Sequence, residues 1–300
     1  MNSFINILQN RITMISIRSF FILFALLTYN LHYGQYTDDI NSNRPGESMG
    51  GFSVGKSIFQ AELGVYGINE QHQLSNEQVD GFDTKLSLRY GSLLDKLELN
   101  LDLLYQNDQY QSNLKNETRS GFKQTTLGVK YLIYDHNKNY KKKTNVFSWK
   151  ANHSIDYRKL IPAVGIYAGM NINTKSIYAF PNEPEITPKV ILITQNQFER
   201  EVLTINIIAD KIATIAPSYS YIVTLTRGFS PRWIGFIENQ GIKGYYYSDA
   251  ILRGGAAFLI SQNLQIDASM GTNFKNTPSK LFGGIGLSWR IENNDEKQKF

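Results

Sequence analysis

The sequence predicts an all-β protein, an antiparallel transmembrane β-barrel of about twelve strands behind an N-terminal signal peptide. Three observations support this fold class. Apolar and polar residues alternate with a period of two along much of the 300-residue chain, which indicates strands with two different faces. Several alternating stretches run about ten residues, the length with which a tilted strand crosses a bilayer. After residue 35 no apolar stretch is long enough for a membrane helix, so a membrane-embedded chain must be a barrel.

The N-terminal segment has the arrangement of a secretory signal peptide. Arg18 precedes the unbroken apolar run 20–27, and the small residue Gly34 follows. A basic flank, a short apolar core and a small residue near the exit are typical of such signals. Since the run is shorter than the roughly 20 residues of a membrane-spanning helix, we predict a signal peptide over residues 1–35. A buried core helix is the alternative.

Residues 57–291 are predicted to form the barrel. In the stretch 97–103, leucine alternates with Glu98, Asn100 and Asp102. The same alternation is clear at 59–65, 82–90, 264–271 and 281–291. Further strands are predicted at 124–134, 160–173, 190–197, 202–212, 218–227, 233–238 and 246–260. A count of about twelve leaves ten or fourteen strands open.

The segments between and around these strands are polar. Loops rich in Asn, Lys, Gln or Glu are predicted at 70–80, 106–120, 136–149 and 180–188, and short turns at 95–96 and 261–263. Long loops on one rim and short turns on the other are typical of membrane barrels. Residues 36–56 are predicted to be an N-terminal leader or plug, and the charged residues 292–300 a C-terminal tail.

The polar faces of the strands carry charges of both signs, which a barrel would turn towards its lumen. An Arg or Lys that faces lipid at mid-depth costs about 2–4 kcal/mol, so the lumen is the less costly side. These residues either line the lumen and contact a solute or form structural ion pairs between neighbouring strands. The candidates on the strands are Gln60, Glu62, Arg89, Glu98, Asp249, Arg253, Asp267 and Arg290, with Asp83 and Asp102 on the same faces.

A further candidate, Arg44, stands before the first strand in the sequence Arg44-Pro45-Gly46. Proline has no backbone donor for a sheet, and glycine permits a tight turn. We therefore expect this segment to fold into the periplasmic mouth as a small plug, with Arg44 meeting a lumen carboxylate. A disordered leader is the alternative.

Several classes of function lack their characteristic residues. The chain has no cysteine, which excludes disulfides, zinc–thiolate sites, iron–sulfur clusters and cysteine nucleophiles. Its four histidines are scattered without metal-ligand spacing, and neither a Gly-x-Ser-x-Gly elbow nor a phosphate loop occurs. The net charge of +5 is too small to suggest nucleic acid. We expect no metal, no cofactor and no enzymatic activity; His153 beside Ser154 is the only local candidate for a lipid hydrolase.

Several short motifs occur along the chain in a defined order. They are NRPGES at 43–48, VG at 54–55, FQAE at 59–62, LRYG at 88–91, LEL at 97–99, LGVKY at 127–131, NLQID at 263–267 and GGIGLSWR at 283–290. In order and spacing they resemble the bacterial outer-membrane transporters of the phenol-degradation MetA-pathway type. One departure is Asn43, where that family has Asp before Arg-Pro.

The resemblance implies a passive outer-membrane transporter or channel for small hydrophobic or aromatic compounds. The expected partners are outer-membrane lipid and lipopolysaccharide, the barrel insertion machinery and a small hydrophobic solute, with no nucleic acid. Three alternatives stay open: a structural or assembly barrel without transport, a barrel-embedded lipid enzyme, and a secreted soluble β-sandwich.

Overall fold

The computed structural model describes residues 40–92, 94–135, 160–173, 176–180, 182–198 and 200–291. Within them the chain forms twelve strands. The strands are β1 (Phe59–His72), β2 (Glu77–Gly91), β3 (Leu97–Gln111), β4 (Asn116–Tyr134), β5 (Ala163–Ile172), β6 (Ile186–Phe198), β7 (Glu201–Asp210), β8 (Ser218–Gly228), β9 (Trp233–Gly244), β10 (Ser248–Ser261), β11 (Leu264–Asn273) and β12 (Ser279–Ile291). Each strand pairs antiparallel with the next, and β12 pairs with β1, which closes the sheet.

The two faces of the wall follow the alternation in the sequence. Leu63, Met270 and Trp289 are exposed on the outer surface, whereas Gln60 and Glu98 are buried on the inner one. An apolar outside and polar groups inside are the arrangement of a barrel in lipid. The predicted antiparallel twelve-strand barrel is therefore confirmed. No helix among the described residues has the length and apolar composition needed to cross a membrane.

Two predicted loops are wrong over most of their length. The segment 70–80 is largely strand, because β1 and β2 continue to a turn at 73–76, and in 106–120 only residues 112–115 lie between β3 and β4. Polar side chains pair across these strand ends, as where the Tyr110 hydroxyl donates to Glu77 at 2.7 Å. Such a hairpin extension is polar on both faces and thus resembles a loop in sequence. The predicted loop 136–149, residues 1–35 and the tail 292–300 lie outside the described residues.

The two ends of the barrel differ. At one rim Phe59 pairs with Ile291, so the barrel sequence begins and ends there. We call this the termini rim. Two of its turns, β6–β7 and β10–β11, contain only two residues each. Such short turns are typical of the periplasmic side of outer-membrane barrels.

At the opposite rim, the connection between β5 and β6 reaches across the barrel. On one side the Tyr178 hydroxyl donates to Asp108 of β3 at 2.8 Å. On the other, the Phe180 ring stacks on Tyr246 in the β9–β10 turn, with centroids 4.8 Å apart. Since β3 and β9 are half a ring apart in the strand order, this connection spans the opening.

Candidate functional site

The N-terminal segment 40–58, called the inner segment below, lies inside the barrel. The Ile40 amide donates to the Gln262 carbonyl at 2.8 Å and the Ser57 amide to the Gly91 carbonyl at 2.9 Å, so both ends are fixed near the termini rim. Val54 and most other central residues are buried or half-buried. The structure thus places the described part of the predicted leader or plug in the lumen.

Lumen carboxylates accept hydrogen bonds from the backbone of the inner segment. Glu238 of β9 accepts from the amides of Glu47 at 3.0 Å and Ser48 at 3.2 Å. Glu98 of β3 accepts from the Val54 amide at 2.9 Å. Buried backbone groups need such partners because no water reaches them. The lumen therefore supplies the hydrogen bonds that a neighbouring strand would otherwise provide.

Lumen cations bind the carbonyl groups of the same segment. Lys130 of β4 donates to the carbonyls of Gly50 at 3.1 Å and Phe52 at 2.8 Å. Arg89 of β2 donates to the Asn41 carbonyl at 2.6 Å. The inner segment is thus held largely through its main chain, by both donors and acceptors of the wall.

Arg44 adds a side-chain contact, since its guanidinium is bound in a pocket of its own. Its guanidinium donates through Nε at 3.0 Å and Nη2 at 2.7 Å to the two carboxylate oxygens of Asp267. It lies over Gly64 and Gly286, which face each other across β1 and β12, and a Cβ at either glycine would overlap it. The Tyr66 ring lies 5.3 Å from the guanidinium carbon. A bidentate pair between two glycines leaves room for little other than arginine.

Beside this pocket, four predicted lumen residues form a buried cluster with Lys130. Arg89 contacts Glu62 and Glu98, each at 2.9 Å, and Lys130 contacts Glu98 at 3.1 Å. Gln60 completes the group through a 2.6 Å hydrogen bond to Glu62. Because all these side chains are buried and hydrogen-bonded, the cluster supports the structural role that the sequence left open for them.

The remaining candidates lie on the same face but apart from this cluster. Arg253 pairs with Glu238, and Asp249 accepts from Asn273 at 2.9 Å near the opposite rim. Arg290 is buried at the termini rim. The predicted residues are thus distributed along the height of the lumen rather than gathered at one point.

Sequence reasoning missed Glu238, Lys130 and Asn206. The stretch 236–240 places Glu238 two residues from Gln240, and alternation alone would have assigned both to the polar face. Asn206 gives a weaker signal, because Thr204 shares its polar face but the apolar Ile208 follows on that face.

The lumen also has an apolar patch, which the sequence did not predict. It consists of Tyr167 on β5, Ile191 and Ile193 on β6, Ile208 on β7 and Ile222 on β8. On β6, Val190 and Leu192 are exposed on the outer face while their isoleucine neighbours are buried on the inner face. A strand that is apolar on both faces reads as one continuous run, so alternation could not identify its inner side.

A pH dependence is expected from Glu47, whose carboxylate pairs with Lys85 of β2. Burial raises the pKa of Glu47, but the cations Lys85, Arg253 and Arg44 outweigh burial and lower it from 4.5 to about 2. The contact therefore stabilises the docked segment fully above pH 4.5, and this contribution is lost as the pH falls towards 2.

Single-channel conductance measured across this range is expected to rise on acidification. The matched variant Glu47→Gln has no charge to lose. It should start from a higher conductance at neutral pH and lack this component of the pH response. An identical acid response in the two proteins would contradict the role of Glu47.

Comparisons with known proteins agree with the geometry. A family model described as a putative MetA-pathway of phenol degradation matches residues 42–291. An outer membrane channel from Pseudomonas putida F1 has a TM-score of 0.53 and 11% identity, over 83% of this chain and 100% of that one. The translocator domain of the autotransporter NalP from Neisseria meningitidis has a TM-score of 0.48 and 9% identity, over 83% and 90%. A monoaromatic hydrocarbon channel, CymD, has a TM-score of 0.44 and 10% identity, over 79% and 90%. A search of curated protein sequences finds no match.

Proposed function

Because the chain belongs to the family described as a putative MetA-pathway of phenol degradation, we propose that it is a passive outer-membrane channel for small hydrophobic or aromatic compounds. The closed antiparallel sheet supports a place in the outer membrane, since a barrel leaves no backbone group unpaired towards lipid. The aliphatic and aromatic side chains on its outer surface would contact lipid and lipopolysaccharide, and such a wall is inserted by the barrel assembly machinery.

The observation that carries the proposal is the apolar patch inside the lumen. A barrel that served only as a scaffold would fill its interior with paired charges, as β1–β4 do around Arg89. Isoleucines turned inward on β6, β7 and β8 give one side of the lumen an apolar surface that a solute would contact in place of the inner segment. Solute and wall would then associate by excluding water from both.

The rival functions are less well supported. A structural or assembly barrel accounts for the ion pairs but not for the patch. A barrel-embedded lipid enzyme needs a nucleophile and a base in contact. Its only sequence candidate, the pair His153 and Ser154, lies outside the described residues. The family and the apolar patch therefore support a channel over an enzyme.

The inner segment is expected to limit the size of what passes. The protein is reconstituted into vesicles with a lipopolysaccharide outer leaflet, and the uptake of radiolabelled toluene and xylose is measured. The intact chain should accelerate toluene uptake over protein-free vesicles. Removal of residues 40–57 should accelerate xylose uptake as well, because the main obstruction near the termini rim is gone.

Correct folding of the shortened barrel is the control. The shortened chain must still show the heat-modifiable migration of a folded barrel. If neither the intact nor the shortened chain increases the uptake of toluene, the channel function is wrong and a structural barrel is the better account.

A further inference from the structure

The apolar patch is continuous across four strands. Tyr167, Ile191 and Ile208 are direct cross-strand partners, so they form one row along the wall. The row nearer the termini rim contains Ile193, Asn206 and Ile222, again as direct partners. Neighbouring side chains on one face of a sheet lie about 4.5–5.5 Å apart, so the five apolar groups make one surface with a single amide inside it.

Met49 of the inner segment covers this surface. Its side chain packs against the apolar patch. Asn206 fixes its backbone from within the patch, because the Met49 amide donates to Asn206 Oδ1 at 2.6 Å and Asn206 Nδ2 donates to the Met49 carbonyl at 3.0 Å. A flexible thioether is a side chain that fills an irregular apolar surface without demanding one geometry.

Tyr167 contributes a polar group whose role the wall does not explain. Its ring covers Gly128 and Gly169, which face each other on β4 and β5, and a Cβ at either would overlap it. This packing of an aromatic ring over glycines stabilises a barrel wall, and phenylalanine would serve equally well. The Tyr167 hydroxyl is buried and has no hydrogen-bond partner among the described residues. A buried hydroxyl without a partner is costly, so a bound group that supplies one would be favoured.

We propose that the patch is a binding site for a small neutral aromatic compound that carries one hydrogen-bonding group, and that Met49 occupies this site when no solute is bound. Solute and inner segment then compete for the same isoleucines, and the Tyr167 hydroxyl pairs with the polar group of the solute. This inference rests on the proposed channel function and adds to it the place where the solute binds and the device that closes that place.

Because solute and Met49 compete for the patch, the affinity of the patch for a solute depends on Met49. The protein is placed in lipid nanodiscs with ¹³C-labelled isoleucine methyl groups and titrated with phenol or toluene by NMR. Ring-current shifts that saturate at Ile191, Ile193, Ile208 and Ile222 are the expected sign of binding. In Met49→Gly the dissociation constant should fall several-fold, because the site no longer has to be vacated.

Met49→Leu is the matched control for this variant. Leucine keeps an apolar side chain of similar size over the patch, and its dissociation constants should stay near those of the unmodified chain. If the isoleucine signals do not saturate, or if Met49→Gly binds no more tightly than Met49→Leu, the site is not the one proposed.

The hydroxyl is tested by comparing the two solutes. Tyr167→Phe retains the ring over the glycines, so the wall is preserved. Loss of one hydrogen bond should raise the dissociation constant of phenol by roughly three- to tenfold and leave that of toluene unchanged. Equal effects on both solutes, or none on phenol, would overturn the role of the hydroxyl.

The binding measurement is independent of transport. Saturable binding at the patch without any acceleration of uptake would retain the site and contradict the channel. Accelerated uptake without shifts at the isoleucines would retain the channel and contradict the site.

Discussion

Alanine in place of Arg89 is expected to lower the free energy of unfolding of the barrel by about 3–5 kcal/mol, as for other buried ion pairs that lose one partner. Arg89 is fully buried and pairs with Glu62 and Glu98. Without it, Glu62 loses its cation, and Glu98 keeps only Lys130 to balance a charge buried in the wall. Urea unfolding of the protein in lipid vesicles, followed by tryptophan fluorescence, measures the difference.

Arg227→Ala is the control for this measurement. Arg227 pairs with Glu201 at 3.3 Å, but the two side chains are 62% and 42% exposed. An exposed pair contributes only about 0–1 kcal/mol, because water solvates both charges when the partner is lost. Similar losses in the two variants would mean that the buried cluster is no more important to the barrel than a surface contact.

Valine in place of Gly286 should release the inner segment from its strongest side-chain contact. A side chain at this position occupies the space of the Arg44 guanidinium, which then loses both of its hydrogen bonds to Asp267. Loss of a buried bidentate pair weakens the docking of the segment by about 3–5 kcal/mol. Single-channel conductance is expected to rise several-fold, and the openings should become more frequent.

Two measurements make this expectation specific. Gly283→Val adds the same side chain to the same strand, but a Cβ at Gly283 meets its neighbours at ordinary distances of 3.5 Å or more. Its conductance should match that of the unmodified protein. Because the chain has no cysteine, Ser48→Cys supplies a unique buried thiol in the inner segment. The thiol should react rapidly with a water-soluble reagent only when Gly286→Val is also present. Slow labelling in both backgrounds would show that Arg44 is dispensable for docking.

The sequence was most informative where one face of a strand is polar and the other apolar. On β1, β3 and β11 the period of two identified Gln60, Glu62, Glu98 and Asp267 as lumen residues, and the structure places them there. The fold class follows from the same signal, since lipid and lumen impose different side chains on the two faces of every strand.

The inner face of a strand could not be predicted where both of its faces carry the same kind of side chain. The inner face of β6–β8 carries isoleucines although the outer face is apolar too, and the ends of β1–β4 at the rim opposite the termini are polar on both faces. The contacts of the inner segment could not be predicted from the sequence for another reason. They join residues that are far apart in the chain, such as Met49 and Asn206 or Arg44 and Asp267. Only the closed ring brings these pairs together.

Recognition of the inner segment through its main chain has an evolutionary consequence. Every residue has a carbonyl and, apart from proline, an amide, so side chains between 40 and 58 that do not contact the wall are free to change without loss of docking. Other positions are not free: Arg44 for its pocket, Gly46 beside the Glu238 carboxylate, Glu47 for its pair with Lys85, Met49 over the apolar patch, and Gly55, whose φ of 105° suits glycine. A randomised library that retains these residues should still yield barrels with the inner segment docked, and relatives of this protein can diverge at the remaining positions of the segment.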